Sequence, residues 1–123
     1  MNQIEQNLTN LNTAELLRKL DTQAGASRFF IFEELAQRFS SEPEIEKDLM
    51  RAILSDENRN TRFHGVTSLS QMALLALLRT GNKAADNFVA KVLIAFSPED
   101  RKHFSSLARR ENLAVKKLKP QTA

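Results

Sequence analysis

Apolar residues recur along most of the chain at the three-to-four-residue spacing of helices that bury one face. No segment alternates apolar and polar residues for long enough to predict a β-sheet. In the first predicted helix, Asn12 and Glu15 have the spacing of a capping box. The apolar positions of this helix are Leu8, Leu11, Leu16, Leu17 and Leu20. A second helix is predicted at about 24–40, and its apolar face consists of Phe29, Phe32, Leu35, Ala36 and Phe39.

A third helix is predicted to begin at the segment 41–44, Ser-Glu-Pro-Glu. The Ser41 hydroxyl can accept a hydrogen bond from the Glu44 amide, and proline is tolerated in a first helical turn. The polar segment 55–60 after this helix is predicted to be a turn. The buried stripe of the helix consists of Ile45, Leu49 and Ile53.

The fourth predicted helix, from about 61 to 79, becomes apolar on all sides after Met72, which predicts a central position in the fold. Gly81 follows it where a left-handed helix cap is expected. A sixth helix is predicted to begin with Ser97 as its cap and Pro98 in its first turn, and to continue through Leu113. Between these two, a fifth helix is predicted from Ala85, Phe88, Val89, Val92, Leu93 and Phe96.

Similar residues recur at fixed offsets, which predicts that one helical hairpin is repeated along the chain. At an offset of 34, the matches are Arg28 with Arg62, Phe29 with Phe63, Leu35 with Leu69, and Gln37 with Gln71. At an offset of 72, they are Phe32 with Phe104, Leu35 with Leu107, Ala36 with Ala108, and Arg38 with Arg110. At an offset of 43, they are Ile45 with Phe88, Leu49 with Val92, Ala52 with Ala95, and Ile53 with Phe96. Periods of this length are typical of α-solenoids.

The segment 49–72 resembles one unit of the HEAT-repeat family. In that family an apolar first helix is followed by an aspartate, an arginine, a small residue and two apolar residues. Here these places are taken by Asp56, Arg62, Gly65, Leu69 and Met72. The resemblance implies that Asp56 and Arg62 are structural residues that make contacts between stacked repeats. The flanking units depart from the pattern, with Thr22 and Ser97 at the aspartate position and His103 at the third arginine position.

The fold class predicted from these patterns is all-α, a short α-solenoid or helical-hairpin stack of about five to six helices. An irregular helical bundle is the alternative. We expect a flexible N-terminus at 1–10, a single helical-repeat domain at 11–115 and a basic flexible tail at 116–123. The longest apolar run is 72–78, which is too short to span a membrane. With no cysteine and no signal-peptide pattern at the start, the expected location is cytoplasmic.

The sequence offers no motif for catalysis, so we expect no enzyme activity and no cofactor. The chain has two histidines, His64 and His103, far apart and without the spacing of a metal site. No cysteine is present to form a thiolate zinc site. The three glycines are scattered, and none of the glycine-rich phosphate-binding motifs occurs. The chain therefore reads as a binding protein rather than a catalyst.

The charge is unevenly distributed, with a body that is mildly acidic and a C-terminal end that is basic. Residues 1–100 contain eleven Lys and Arg against fourteen Asp and Glu, whereas residues 101–123 contain seven against one. The predicted acidic partner-binding face consists of Glu33, Glu34, Glu42, Glu44, Glu46 and Asp48. The predicted basic face, for a protein or for nucleic acid, consists of Arg101, Lys102, Arg109, Arg110, Lys116 and Lys117.

These features favour a non-catalytic module that binds another protein, because solenoids present one row of helices as a broad surface. One alternative is an immunity protein that neutralises a basic toxin by binding it through the acidic face. Another alternative is a nucleic-acid-binding protein that uses the basic C-terminal helix. A homodimer that covers the apolar ends of the stack also remains open.

Overall fold

The computed structural model describes residues 8–23, 27–64 and 67–115, and for Pro43 and residues 62–64 it describes the backbone only. This part of the chain is all-α apart from one short antiparallel hairpin, formed by β1 Arg62–His64 and β2 Thr67–Ser68. Seven helices lie wholly within these ranges. They are α1 Thr13–Thr22, α2 Ser27–Arg38, α3 Glu46–Ile53, α4 Asp56–Asn60, α5 Leu69–Arg79, α6 Lys83–Leu93 and α7 Pro98–Arg110.

Three predicted helix boundaries are confirmed by their hydrogen bonds and backbone angles. The side chain of Asn12 caps α1 by accepting a hydrogen bond from the Glu15 amide at 2.8 Å, and the Glu15 carboxylate accepts one from the Asn12 amide at 3.3 Å. The Ser97 hydroxyl accepts a hydrogen bond from the Asp100 amide at 3.1 Å at the start of α7. After α5, Gly81 has a φ of 68°, the left-handed conformation that glycine adopts without steric cost.

The helix α5 lies at the centre of the fold, as its apolar sequence predicts. All ten residues from Leu69 to Leu78 are buried. The helix packs against α2, α3, α4, α6 and α7. The aromatic ring of Phe39, after the end of α2, reaches α6 and contacts the ring of Phe88, with 5.1 Å between the ring centroids. Apolar residues from most of the described helices therefore share one core.

The prediction of a continuous helix from 61 to 79 is wrong, because the helix begins only at Leu69. Residues 62–64 and 67–68 form the β1–β2 hairpin, which is closed by a hydrogen bond from the Leu69 amide to the Thr61 carbonyl at 2.8 Å. The helix starts at Leu69 because Ser68 and Gln71 form a second capping box. A capped start of this kind competes with continuation of the helix toward the N-terminus.

Two further boundaries differ because local hydrogen bonds compete with the predicted ones. The Ser41 hydroxyl does not cap a helix and instead donates to the Arg38 carbonyl at 3.2 Å. A 3-10 turn at Pro43–Ile45 then leads into α3. The segment after α3 is a short helix rather than a simple turn, because the Ser55 hydroxyl accepts a hydrogen bond from the Asn58 amide at 3.2 Å.

The ends of two other predicted helices are also corrected. Helix α7 stops at Arg110, because Asn112 has a φ of 59° and the Leu113 amide turns back to the Ala108 carbonyl at 2.9 Å. Of the predicted α2 face, Phe32, Leu35, Ala36 and Phe39 are buried, but Phe29 is only half-buried, and Ile31, outside that face, is 1% exposed. At the N-terminal side, Leu8 is buried in the core. Residues 1–7 and the predicted tail at 116–123 lie outside the described ranges.

Candidate partner-binding surfaces

An open groove of about 520 Å³ lies between α1, α3 and α4. Its base is partly apolar and its rims are charged. The residues that line it are Ala14, Leu17, Arg18, Leu20, Asp21, Asp48, Arg51, Ala52, Ser55, Glu57 and Asn58. Among these, Leu20 is buried, Leu17 and Ala52 are half-buried, and Arg18 and Asp21 are exposed. The groove therefore offers an apolar contact surface between flexible charged side chains.

One long wall of the groove is formed by α1, and the other is formed by α3 and the start of α4. The α1 wall consists of Ala14, Leu17, Arg18 and Asp21, which lie on one helix face because of their i, i+3, i+4, i+7 spacing. The other wall, 34 residues later, consists of Asp48, Arg51, Ala52 and Ser55. This is the offset at which the sequence repeats. No motif singles out these residues, but the offset alone would have placed them together.

The rims of the groove carry charges of both signs. Arg51 pairs across one helical turn with Asp48, with 3.4 Å between the guanidinium and carboxylate atoms. Both side chains are well exposed, at 73% and 49%, so this pair exchanges easily with solvent or with a partner. Arg18 stands on the opposite wall, and Glu57 stands at the end of the groove. Arginine and carboxylate groups are thus available on both sides of an apolar base.

A buried arginine holds the end of the groove in place. Arg28 is 4% exposed, and its Nε donates to the Gln23 carbonyl at 2.8 Å. Its guanidinium also donates to the Asn58 side chain at 3.0 Å and forms an ion pair with Glu57. The Asn58 amide group in turn donates to the Ala52 carbonyl at 2.8 Å. This network connects the start of α2 with α3 and α4, so the groove is a fixed feature of the fold.

The network also bears on the two predicted inter-repeat residues. Asp56 is exposed at the first position of α4, and the contacts with the preceding hairpin come from the next two residues, Glu57 and Asn58. The arginine that makes them is Arg28 of α2. Arg62, its match at the 34-residue offset, lies in β1, so the predicted equivalence of these two positions is wrong. The side chain of Arg62 lies outside the part of the chain that the structure describes.

The predicted acidic face is divided among several local interactions. Glu34 pairs with Arg38 at 2.9 Å, and Glu42 accepts a hydrogen bond from the Thr13 hydroxyl at 2.7 Å. Glu46 pairs with Lys91 of α6 at 3.7 Å.

The other three predicted acidic residues point to different surroundings. Glu33 lies near Arg79 and contributes to the raised pKa of that guanidinium, after the larger effect of Glu111. Glu44 is exposed. The groove takes in only Asp48 of the six, so the structure does not bring them together as one unpaired surface.

The described part of the predicted basic face is intact. Arg101, Lys102, Arg109 and Arg110 are exposed on α7, whereas Phe104 and Ala108 of the same helix are buried. None of these four cations has an acidic partner among the described residues. Lys116 and Lys117 lie outside the described ranges.

The end of α7 is joined to the end of α5 by a bidentate ion pair. The Arg79 Nε and Nη2 atoms donate to the two carboxylate oxygens of Glu111 at 2.6 and 2.7 Å. The hydrogen bonds from Arg79 lower the pKa of the Glu111 carboxyl, and the same contact raises the pKa of Arg79. At the other end of α7, the His103 Nε2 atom lies 2.9 Å from the Thr67 hydroxyl, which places this histidine in a structural contact with the hairpin.

Residues 8–23, 27–64 and 67–115 contain no group of three His, Cys, Asp or Glu side chains that could hold a metal ion. In the same ranges no helix is both long and apolar enough to cross a membrane. The side chain of His64 is not described. Comparisons of the chain with models of protein families, with curated proteins and with solved structures give no match.

Proposed function

We propose that the chain is a non-catalytic protein-binding module built on stacked, HEAT-like helical hairpins, and that the groove between α1 and α3 holds its partner. The observation that carries the proposal is that four residues of α1, and the residues 34 positions later on α3 and at the cap of α4, line the two walls of the groove. Repeat proteins bind partners on surfaces of this kind, because each unit contributes equivalent side chains to a continuous face.

The helix contacts support a stack of two hairpins, α1–α2 and α3–α5, with α6 and α7 each packed against α5. In such a stack, first helices lie beside first helices and second helices beside second helices. Here α1 packs against α3, α2 packs against α5, and α5 packs against α7. The ion pair of Glu46 with Lys91 links α3 to α6. The buried Arg28 connects the first hairpin to the second, which is the role that the HEAT resemblance assigns to an arginine.

The composition of the groove supports a protein as its occupant. An apolar base with a charged rim is the usual anatomy of a protein interface. Its two arginines are accompanied by three carboxylates, Asp21, Asp48 and Glu57, which would repel the phosphates of a nucleic acid. An immunity protein that used the predicted acidic face would first have to break the Glu34–Arg38 and Glu46–Lys91 pairs. The groove requires no such rearrangement beyond the exposed Asp48–Arg51 pair.

Site-specific photocrosslinking tests the proposal. A photoreactive phenylalanine analogue replaces Arg18 in the groove or, as a control, the exposed Lys83 at the start of α6, in cells that naturally carry the protein. We expect the probe in the groove, and not the control probe, to give one defined protein adduct. The charge reversal Arg51→Glu on the opposite wall should abolish that adduct, whereas Lys47→Glu on the same helix, outside the groove, should leave it unchanged.

Three results would contradict the proposal. They are equal adducts from both probes, an adduct at position 18 that survives Arg51→Glu, and no adduct at position 18. The urea unfolding midpoint of each variant is first compared with that of the wild type to show that the variant is folded. Exposed charge changes of this kind alter the free energy of unfolding by about 0.5 kcal/mol or less. A variant outside that range is replaced by the neutral Arg51→Gln.

A further inference from the structure

The exposed surface of α7 carries four cations, on a different helix from the groove. We define the α7 cationic face as Arg101, Lys102, Arg109 and Arg110. The half-exposed hydroxyls of Ser105 and Ser106 lie one turn after the first pair and one turn before the second. At about 1.5 Å per residue, the face extends about 14 Å along the helix.

These cations differ from half of the other positive side chains that the structure describes, and resemble Arg18, Lys19, Lys47, Arg59 and Lys83, which form no salt bridge either. The arginines at 28, 38, 51 and 79 and Lys91 are all engaged by carboxylates. The α7 cationic face has no such partner in the described part of the chain. Four unpaired charges of one sign within a few turns create a local field that attracts a surface of opposite sign.

The helix that carries the face is held firmly to the fold. Phe104 and Ala108 are fully buried. The Gln71 side chain donates to the Asp100 carbonyl at 3.3 Å near the first turn, and His103 contacts Thr67 in the next turn. Glu111 is clamped by Arg79 at the last turn. Since the backbone is fixed at both ends, less ordering entropy opposes binding than for a mobile basic tail.

We infer that the α7 cationic face docks an acidic segment of a partner protein. The docked segment is expected to be short, because the run of cations on α7 is short. Glu99 and Asp100 precede the cations, and Glu111 follows them. Glu99 and Asp100 would oppose a phosphate backbone that continued past the N-terminal end of the face. The only aromatic side chain of α7, Phe104, is buried, so the face offers no ring on which a base could stack. The hydroxyls of Ser105 and Ser106 can donate hydrogen bonds to the carboxylate oxygens of such a segment.

Fluorescence anisotropy with defined probes tests this inference in the full chain. The probes are a labelled peptide rich in Asp and Glu, the same peptide with Asn and Gln in their place, and single-stranded and duplex DNA. We expect the acidic peptide to bind in preference to the other three probes. The double variant Arg101→Glu with Arg109→Glu should weaken that binding about tenfold or more, because two positive charges that attract the acidic peptide become negative charges that repel it. The affinity should also fall with added salt.

A second double variant, Lys47→Glu with Lys83→Glu, makes the same change of net charge on other helices and is expected to alter the affinity less than about twofold. The neutral pair Arg101→Gln and Arg109→Gln gives an intermediate loss and guards against a folding defect. The inference is overturned if DNA binds better than the acidic peptide through the same residues. It is also overturned if the control variant weakens binding equally, or if the acidic and amide peptides bind alike. Each of these outcomes leaves the groove crosslink unaffected, so the two proposals fail separately.

Discussion

Replacing the buried Arg28 by methionine tests whether the first two hairpins are joined as described. The change keeps much of the apolar volume but removes the donors to the Gln23 carbonyl and the Asn58 side chain. A hydrogen-bond partner that is left unsatisfied in the interior costs about 1–3 kcal/mol. The pairing with Glu57 adds less, because that carboxylate is 68% exposed and regains water. We expect a total loss of about 2–4 kcal/mol in the free energy of unfolding.

Urea unfolding followed by circular dichroism measures this loss, provided that the slope of the transition is the same in both proteins. Two variants serve as controls. Arg18→Met changes an exposed arginine of the groove and should cost about 0.5 kcal/mol or less. Glu57→Gln keeps an acceptor for the Arg28 guanidinium but removes the charge, and should cost under about 1 kcal/mol. A loss below about 1 kcal/mol for Arg28→Met would refute the reasoning about its buried hydrogen bonds.

Three further predictions concern the ends and the attachment of the helices. Gly81→Ala should lower the free energy of unfolding by about 1 kcal/mol, because φ is positive there although no atom lies within 4 Å of the added methyl group. Phe104→Ala should cost about 3–5 kcal/mol, since its ring is fully buried and anchors α7. Glu111→Gln removes a carboxyl whose pKa is lowered from 4.5 in the folded protein by the hydrogen bonds from Arg79. The stabilising effect of this carboxylate is therefore present above pH 4.5 and disappears as the pH falls through the lower folded-state pKa. Unfolding curves at several pH values should therefore show a gap between wild type and Glu111→Gln that closes in acid. A loss near zero for either of the first two variants, or a gap that widens in acid, would show that the corresponding contact is misassigned.

Local signals in the sequence predict the helix ends better than the path between them. Asn12 with Glu15, Ser97 with Pro98, and Gly81 each act through their own backbone neighbours, so their roles are visible in a few letters. The β1–β2 hairpin is not visible in this way. Its two strands are too short for an alternating pattern, and it depends on the hydrogen bond from Leu69 to Thr61.

The charged residues show why an acidic sequence stripe does not become an acidic surface. Asp48 with Arg51 and Glu34 with Arg38 already have helical i, i+3 and i, i+4 spacing, so their pairing could be predicted. Glu46 and Lys91 are 45 positions apart, and only the fold brings these two side chains together. The α7 cations form no salt bridge among the described residues, although Glu99 precedes Lys102 by three positions.

The groove was predictable in principle but not recognised from residue type. Its lining is a mixture of alanine, leucine, arginine and aspartate without any motif. What unites the residues is their position on α1 and α3 at an offset of 34. Comparing the helix faces at that offset, rather than matching identical letters, would have placed the two walls opposite each other. The burial of Arg28 could not be predicted from the sequence either. Arginine is rarely buried without partners, and only the fold brings the partners of Arg28 to it.

Hydrogen–deuterium exchange of the chain, alone and bound to the protein captured by the Arg18 probe, tests the central claim most directly. If that protein occupies the groove, amide exchange should slow in α1, α3 and α4, at 13–22 and 46–60, and stay unchanged in α6, at 83–93. Slower exchange outside the groove, with α1 and α3 unaffected, would contradict the claim that these two helices hold the partner.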